Sequence, residues 1–172
     1  VLKGVTRAEL SEQNFTFITK TAMNAPGIAP LQVYKTLLGQ NSISWGDDSP
    51  QALQFPSSGP SAANYFAQGG NDGLAHSGAN SVLDGGDGDD LIYADYLAPV
   101  EGADWVEGGA GSDWLESGGF ADFVAGGSGN DVVYGGAGND YLRGDAGYDT
   151  IYGDDGNDEL IGGTETDYLE GG

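Results

Sequence analysis

The chain has 172 residues, enough for one compact domain or for one module plus a smaller attachment. Its 27 Asp and Glu against 5 Lys and Arg leave a formal charge of −22, which argues against nucleic acid and anionic membranes as partners, since those need clustered cations, and points to cations instead. With no cysteine there is no disulfide framework and no thiol chemistry, and no stretch is apolar for long enough to insert in a membrane.

Two kinds of chain carry such a charge: a solvated, disordered acidic one, and one that folds when metal neutralises it. The 9 Tyr, 6 Phe and 3 Trp speak against disorder. The chain opens at Val1 without Met or a signal-like segment, so we expect a piece of something longer.

In chain order, "NFTFITKTA" (14–22) alternates Phe15 and Phe17 and predicts a strand. "PLQVYKTLLG" (30–39) sets Leu31, Tyr34, Leu37 and Leu38 on one helical face, with Pro30 at its start and Gly39 at its stop. "NSISWG" (41–46) alternates Ile43 and Trp45 and predicts a second strand, and "FPSSGPSAAN" (55–64) is a loop. Residues 1–66 are therefore expected to be a small mixed α/β or β segment that packs on, or caps, the remainder of the chain.

From residue 67 the chain divides into nines. The rows are AQGGNDGLA (67–75), HSGANSVLD (76–84) and GGDGDDLIY (85–93). A five-residue insertion, ADYLA (94–98), breaks the count before PVEGADWVE (99–107). Then come GGAGSDWLE, SGGFADFVA, GGSGNDVVY, GGAGNDYLR, GDAGYDTIY, GDDGNDELI and GGTETDYLE, starting at residues 108, 117, 126, 135, 144, 153 and 162. The eighth position is aliphatic in every row: Leu74, Leu83, Ile92, Val106, Leu115, Val124, Val133, Leu142, Ile151, Leu160 and Leu169. A flexible linker has no reason to keep such a column.

Each row is a glycine-rich turn followed by about three extended residues. Side chains alternate along a strand, so the eighth points inward and the seventh and ninth outward. One buried side chain per strand cannot hold a row on its own, so rows must stack.

Rows such as GGSGNDVVY, GGAGNDYLR and GGAGSDWLE resemble the RTX nonapeptide, G-G-x-G-x-D-x-U-x with U large and apolar. The resemblance covers residues 67–172. It implies an all-β fold, a calcium-bound parallel β-roll in which successive strands fall on two opposed sheets and one coil takes two rows. It also implies about five or six calcium ions, each held between turns one coil apart. Asp104, Asp122, Asp140 and Asp158 would line one edge, and Asp113, Asp131, Asp149 and Asp167 the other. Asp72 and Asp90 form a further pair before the insertion. Glycine carbonyls would complete the shells: those of Gly108, Gly109 and Gly111, of Gly126, Gly127 and Gly129, of Gly135, Gly136 and Gly138, of Gly144 and Gly147, and of Gly153 and Gly156.

The rows depart from the motif at named places. Phe120 and Glu165 stand at fourth positions, Asp145 and Asp154 at second positions, Pro99 and Val100 at the first two positions of their row, and Ser81 in place of an Asp. The best-formed sites are expected at Asp131, Asp140, Asp149 and Asp158.

The seventh positions predict outward ladders: Trp105, Phe123, Tyr141 and Glu159 on one sheet, Trp114, Val132, Thr150 and Tyr168 on the other. A neighbouring domain, a protein or a glycan could cover Trp105, Phe123 and Tyr141. Catalytic chemistry is not visible. His76, the single histidine, is expected at the surface, so H-E-x-x-H and Ser-His-Asp constellations are not available, and no G-x-S-x-G elbow occurs.

The resemblance implies a calcium-binding module of a secreted bacterial protein, extracellular or at the cell surface. Such a module would leave through type I secretion machinery and fold in external calcium. A surface-layer or adhesin scaffold with an aromatic binding face, and the accessory C-terminal tail of a secreted hydrolase or toxin, stand as alternatives.

Overall fold

A computed structural model describes residues 42–45, 49, 52–54, 63–76, 80–95 and 102–172. All of them fall in the unit that spans residues 31–172. The strand expected at 14–22 and the helix expected at 30–39 lie outside the described residues.

The described residues form fourteen strands. The first three are β1 (Ser42–Trp45), β2 (Ala52–Gln54) and β3 (Ala63–Phe66). Then follow β4 (Gly73–Ala75), β5 (Val82–Asp87) and β6 (Leu91–Tyr93). After the insertion come β7 (Trp105–Ala110), β8 (Trp114–Gly119), β9 (Phe123–Ser128) and β10 (Val132–Gly138). The last four are β11 (Tyr141–Ala146), β12 (Thr150–Gly156), β13 (Glu159–Thr164) and β14 (Tyr168–Glu170). The odd-numbered strands make one seven-stranded sheet and the even-numbered strands a second, each in sequence order. Every strand pair is parallel, as in β10–β12 and β11–β13. The chain thus visits the two sheets alternately, which is the two-row coil of a parallel β-roll.

The register carries the nine-residue period into space. Val133 pairs with Ile151, eighteen residues on. Across the insertion the offset widens by its five residues, and Val82 pairs with Trp105. The strands on either side of the insertion therefore stay in phase. N-terminal of the first nonapeptide row, β1 pairs with β3 and β2 with β4. Residues 63 and 64, read from sequence as the end of a loop, open β3 instead.

The core is the eighth-position column. Leu83, Ile92, Val106, Leu115, Val124, Val133, Leu142 and Ile151 have no accessible surface. Tyr65, paired with Leu83, extends the column into β3. Each such side chain contributes about 1.5–3 kcal/mol by burial. Leu169 keeps the register, pairing with Ile151, but in the last strand of its sheet it is 44 % exposed, because no described strand stacks beyond β14.

Candidate metal-binding edges

Two edges of turns join the sheets. The turns at 67–72, 85–90, 108–113, 126–131, 144–149 and 162–167 stack on one edge. The alternate turns, at 102–104, 117–122, 135–140 and 153–158, stack on the other.

In most turns the second and fourth residues adopt a left-handed backbone, Gly138 being an exception. Gly109 and Gly111 (φ 112° and 135°) and Gly127 and Gly129 (φ 110° and 133°) are examples. A Cβ on Gly127 would run into the Gly109 carbonyl, and one on Gly129 into the Gly111 carbonyl. Main-chain oxygens are thus stacked along each edge, one coil below the next. Where the sequence departs from glycine the conformation persists: Phe120, Asp145, Asp154 and Glu165 have φ of 76°, 75°, 64° and 70°. The Phe120 carbonyl still abuts Gly138, and the Asp145 carbonyl still abuts Gly163. The departures keep the oxygens in line and place the cost in backbone strain.

The sixth-position aspartates are brought together one coil apart. Asp104, Asp122 and Asp140 each donate a main-chain N–H to Oδ1 of the next, ending at Asp158, at 2.8–3.0 Å. Asp113, Asp131 and Asp149 do the same, ending at Asp167, at 2.9–3.0 Å. Asp72 and Asp90 are not a separate pair: Asp72 N–H donates to Asp90, and Asp90 N–H donates to Asp113 across the insertion, both at 2.7 Å. One column thus runs from Asp72 to Asp167.

The other carboxylate oxygen is left without a partner. Oδ2 is buried with no hydrogen-bond donor in Asp90, Asp104, Asp113, Asp131, Asp140, Asp149 and Asp158. In Asp90, Asp113, Asp131, Asp140, Asp149 and Asp158 it faces the first glycine of its own row. A Cβ on Gly126 would strike Asp131 Oδ2 and the Gly144 carbonyl, and one on Gly108, Gly135, Gly144 or Gly153 would meet the equivalent pair. Two acceptors therefore converge on each first glycine with no proton between them.

Burial pushes these carboxyls up, more strongly than their main-chain hydrogen bonds pull them down: Asp131 to about 6, Asp104 and Asp113 to about 7, and Asp122 to about 8. Like-charged neighbours add to the rise, Asp104 and Asp140 in the case of Asp122. Asp90, Asp140 and Asp149 are raised by the same burial.

Among the described residues no three acidic or histidine side chains converge as a self-sufficient metal cage. The donor set is hard oxygen: one carboxylate per turn and main-chain carbonyls of stacked turns. Such a set suits Ca²⁺, which takes six to eight oxygens in irregular geometry, and the orphaned Oδ2 atoms are the buried anions a cation would satisfy.

Compared with known protein families, the RTX calcium-binding nonapeptide repeat matches four times, at residues 77–95, 100–133, 116–151 and 152–172. The chain belongs to the RTX calcium-binding nonapeptide repeat family. No curated protein and no solved structure gives a significant match. The RTX roll is a calcium-binding module, and its nonapeptide repeats are what bind calcium.

Several residues of this RTX roll escaped sequence reasoning. Fifth-position side chains form a second hydrogen-bond ladder. Asn71 accepts the Asp89 N–H, Asp89 the Ser112 N–H, Ser112 the Asn130 N–H and Asn130 the Tyr148 N–H, at 2.9–3.2 Å. The polar bias of the fifth column was the available signal. Asp95, inside the insertion, accepts the Gly119 N–H at 3.2 Å, and burial lifts its carboxyl to about 6. His76, expected at the surface, is 3 % exposed and packs 5.3 Å from the Tyr65 ring. It sits beside the eighth-position core, where β4 ends.

The aromatic ladder stands where expected on the first sheet: Trp105 stacks on Phe123 at 4.0 Å and Phe123 on Tyr141 at 5.4 Å. On the second sheet Val132 and Thr150 do not end it. The ninth-position Tyr134 stacks on Tyr152 at 4.8 Å, with Trp114 and Tyr168 at its ends.

Proposed function

We propose that this chain is a calcium-triggered folding module of an exported protein, and that the aspartate columns with their stacked glycine carbonyls are its calcium sites. The observation that carries the reading is the row of buried, donor-less Oδ2 atoms along both edges. Seven buried sixth-position carboxylate oxygens without a partner oppose folding. Arg143 is the one Lys or Arg after residue 35, and it pairs with Asp145. Calcium supplies the positive charge that the sequence omits.

Asp113, Asp131, Asp149 and the carbonyls of Gly109, Gly111, Gly126, Gly127, Gly129 and Gly144 would hold ions on one edge, and Asp140, Asp158 and the carbonyls of Gly136, Gly138 and Gly153 on the other. If each of about five sites is at roughly ten times its Kd, mass action adds about 1.4 kcal/mol per site. The total is comparable with the stability of an ordinary domain. In low calcium the roll would stay unfolded, the state that type I secretion machinery would pass, and it would fold outside the cell.

The test is a calcium titration of the chelator-treated chain, followed by circular dichroism and calorimetry together. Parallel-β signal should appear in step with several bound ions. Full β structure in excess chelator would sink the reading. The aromatic face fits a cross-strand clamp better than a sugar platform. Trp105, Phe123 and Tyr141 turn their ring faces toward one another, at interplanar angles of 22° and 11°, and so offer a partner mostly ring edges.

A further inference from the structure

Turn 117–122 differs from its neighbours at its first position. There the motif's glycine is replaced by Ser117, which has no accessible surface. In the turns starting at Gly108, Gly126, Gly135, Gly144 and Gly153, the Asp Oδ2 and the carbonyl of the next coil's first residue converge on a bare Cα. In turn 117–122 a hydroxyl occupies that place. Ser117 Oγ donates to the Gly135 carbonyl at 2.8 Å, with the Tyr134 carbonyl at 3.4 Å. The rest of the turn keeps its geometry: Asp122 Oδ1 accepts the Asp104 N–H at 2.8 Å, and the carbonyls of Gly118 and Phe120 stay stacked against Gly136 and Gly138.

We propose that Ser117 is a built-in stand-in for calcium: its hydroxyl gives the Gly135 carbonyl the positive partner that an ion gives elsewhere, and the roll binds one ion fewer at this turn. Two acceptors facing each other need a cation or a proton donor between them. At the glycine turns the chain supplies neither. At Ser117 it supplies a hydroxyl that lies against both the Gly135 carbonyl and the Asp122 carboxyl, and the serine Cβ and Oγ fill the space. The row preceding Ser117 on this edge, 99–107, directly follows the insertion at 94–98, so a turn that folds with one ion fewer lies one coil from the insertion. This role for Ser117 rests on the proposal that the edges bind calcium.

The test counts ions on the full 172-residue chain by native mass spectrometry and calcium calorimetry, for wild type, Ser117→Gly and Ser117→Ala. Ser117→Gly recreates the glycine cradle and is expected to bind one calcium more than wild type. Ser117→Ala keeps the space filled but removes the donor. It is expected to bind the wild-type number of ions with a thermal midpoint lower by several degrees in saturating calcium. Equal ion counts in wild type and Ser117→Gly overturn the proposal, as does an unchanged midpoint in Ser117→Ala. A wild type that takes up no calcium overturns the reading beneath it instead.

Discussion

Asp113 donates its main-chain N–H to Oδ1 of Asp131, eighteen residues on, at 2.9 Å, while Oδ2 of the same carboxyl is buried without a donor. The two oxygens thus have separate duties, one to the neighbouring coil and one to a cation. Asparagine keeps the first and lacks the charge for the second. Asp131→Asn should fold in saturating calcium but need several-fold more calcium to reach its midpoint. Asp131→Ala should lose a further 1–3 kcal/mol or so, because the Asp113 N–H is left buried and unpaired. Calcium titrations monitored by circular dichroism separate the two. A wild-type calcium midpoint for Asp131→Asn would show that the charge does not bind the ion.

The metal-free chain should respond to acid as though protons were a weak substitute for calcium. The folded carboxyls of Asp131, Asp104, Asp113 and Asp122 are raised to about 6, 7, 7 and 8, chiefly by burial, while in the unfolded chain they titrate near the ordinary value for aspartate, about 3.9. Between those limits the folded state binds more protons than the unfolded one, so stability falls as pH rises. The contribution is fully present below about pH 4 and is lost by about pH 8. In chelator, β structure should therefore grow on going from about pH 8 to about pH 5, and in calcium the midpoint concentration should fall as pH rises. Chelated chain with no more β signal in mild acid than at the higher pH would contradict this.

Much of the roll was legible because its physics repeats. The aliphatic eighth column, from Leu74 to Ile151, gave the inside of both sheets, and Asp131, Asp140, Asp149 and Asp158 gave the edges. What could not be read was whatever the period does not carry. His76 has no counterpart in the other rows, so nothing in the pattern announced that it packs beside Tyr65. Tyr134 and Tyr152 extend an aromatic ladder from ninth positions, which a reading confined to seventh positions missed. Ser117 stood out in no column of the pattern, and only its bond to the Gly135 carbonyl shows a donor where an acceptor pair would otherwise stand.

The Trp105–Phe123–Tyr141 stack should behave as a clamp with a centre. Phe123 contacts a ring on each side, at 4.0 Å and 5.4 Å, whereas Trp105 has one stacked neighbour in the ladder. Stacked pairs contribute about 0.5–1.5 kcal/mol each beyond burial. Phe123→Ala should therefore cost about 2–4 kcal/mol, and Trp105→Ala, which is 47 % exposed, less. Thermal unfolding in saturating calcium decides the order. The reverse ranking would mean that Trp105 is held by something other than Phe123.

Phe120 occupies a left-handed conformation, φ 76°, in a position where other turns use glycine, and it is 43 % exposed. It surrenders little packing on removal. Phe120→Gly should relieve the strained backbone and stabilise the calcium-loaded roll by about 1 kcal/mol, reduced in part by the greater freedom of glycine in the unfolded chain. A loss of stability in denaturant titration would assign Phe120 a contact that outweighs its strain.

The solenoid should be least sensitive to core deletion at its C-terminal end. Leu142 and Leu169 hold the same position in their rows, but Leu142 has no accessible surface and Leu169 is 44 % exposed. Leu142 pairs with Val124 on one side and Leu160 on the other, so truncation leaves a cavity that parallel coils above and below cannot close without losing register. Leu142→Ala should cost about 2–5 kcal/mol. Leu169 pairs with Ile151 alone among the described strands. Leu169→Ala should cost under about 1 kcal/mol, and the lost stability should come from local fraying of β14. Hydrogen exchange resolves this. Leu142→Ala should speed exchange in its own strand β11 and in the neighbouring β9 and β13, while Leu169→Ala should speed it in β14 and leave Ile151 in β12 protected. Equal costs for the two substitutions would mean that the end of the roll is as tightly held as its middle.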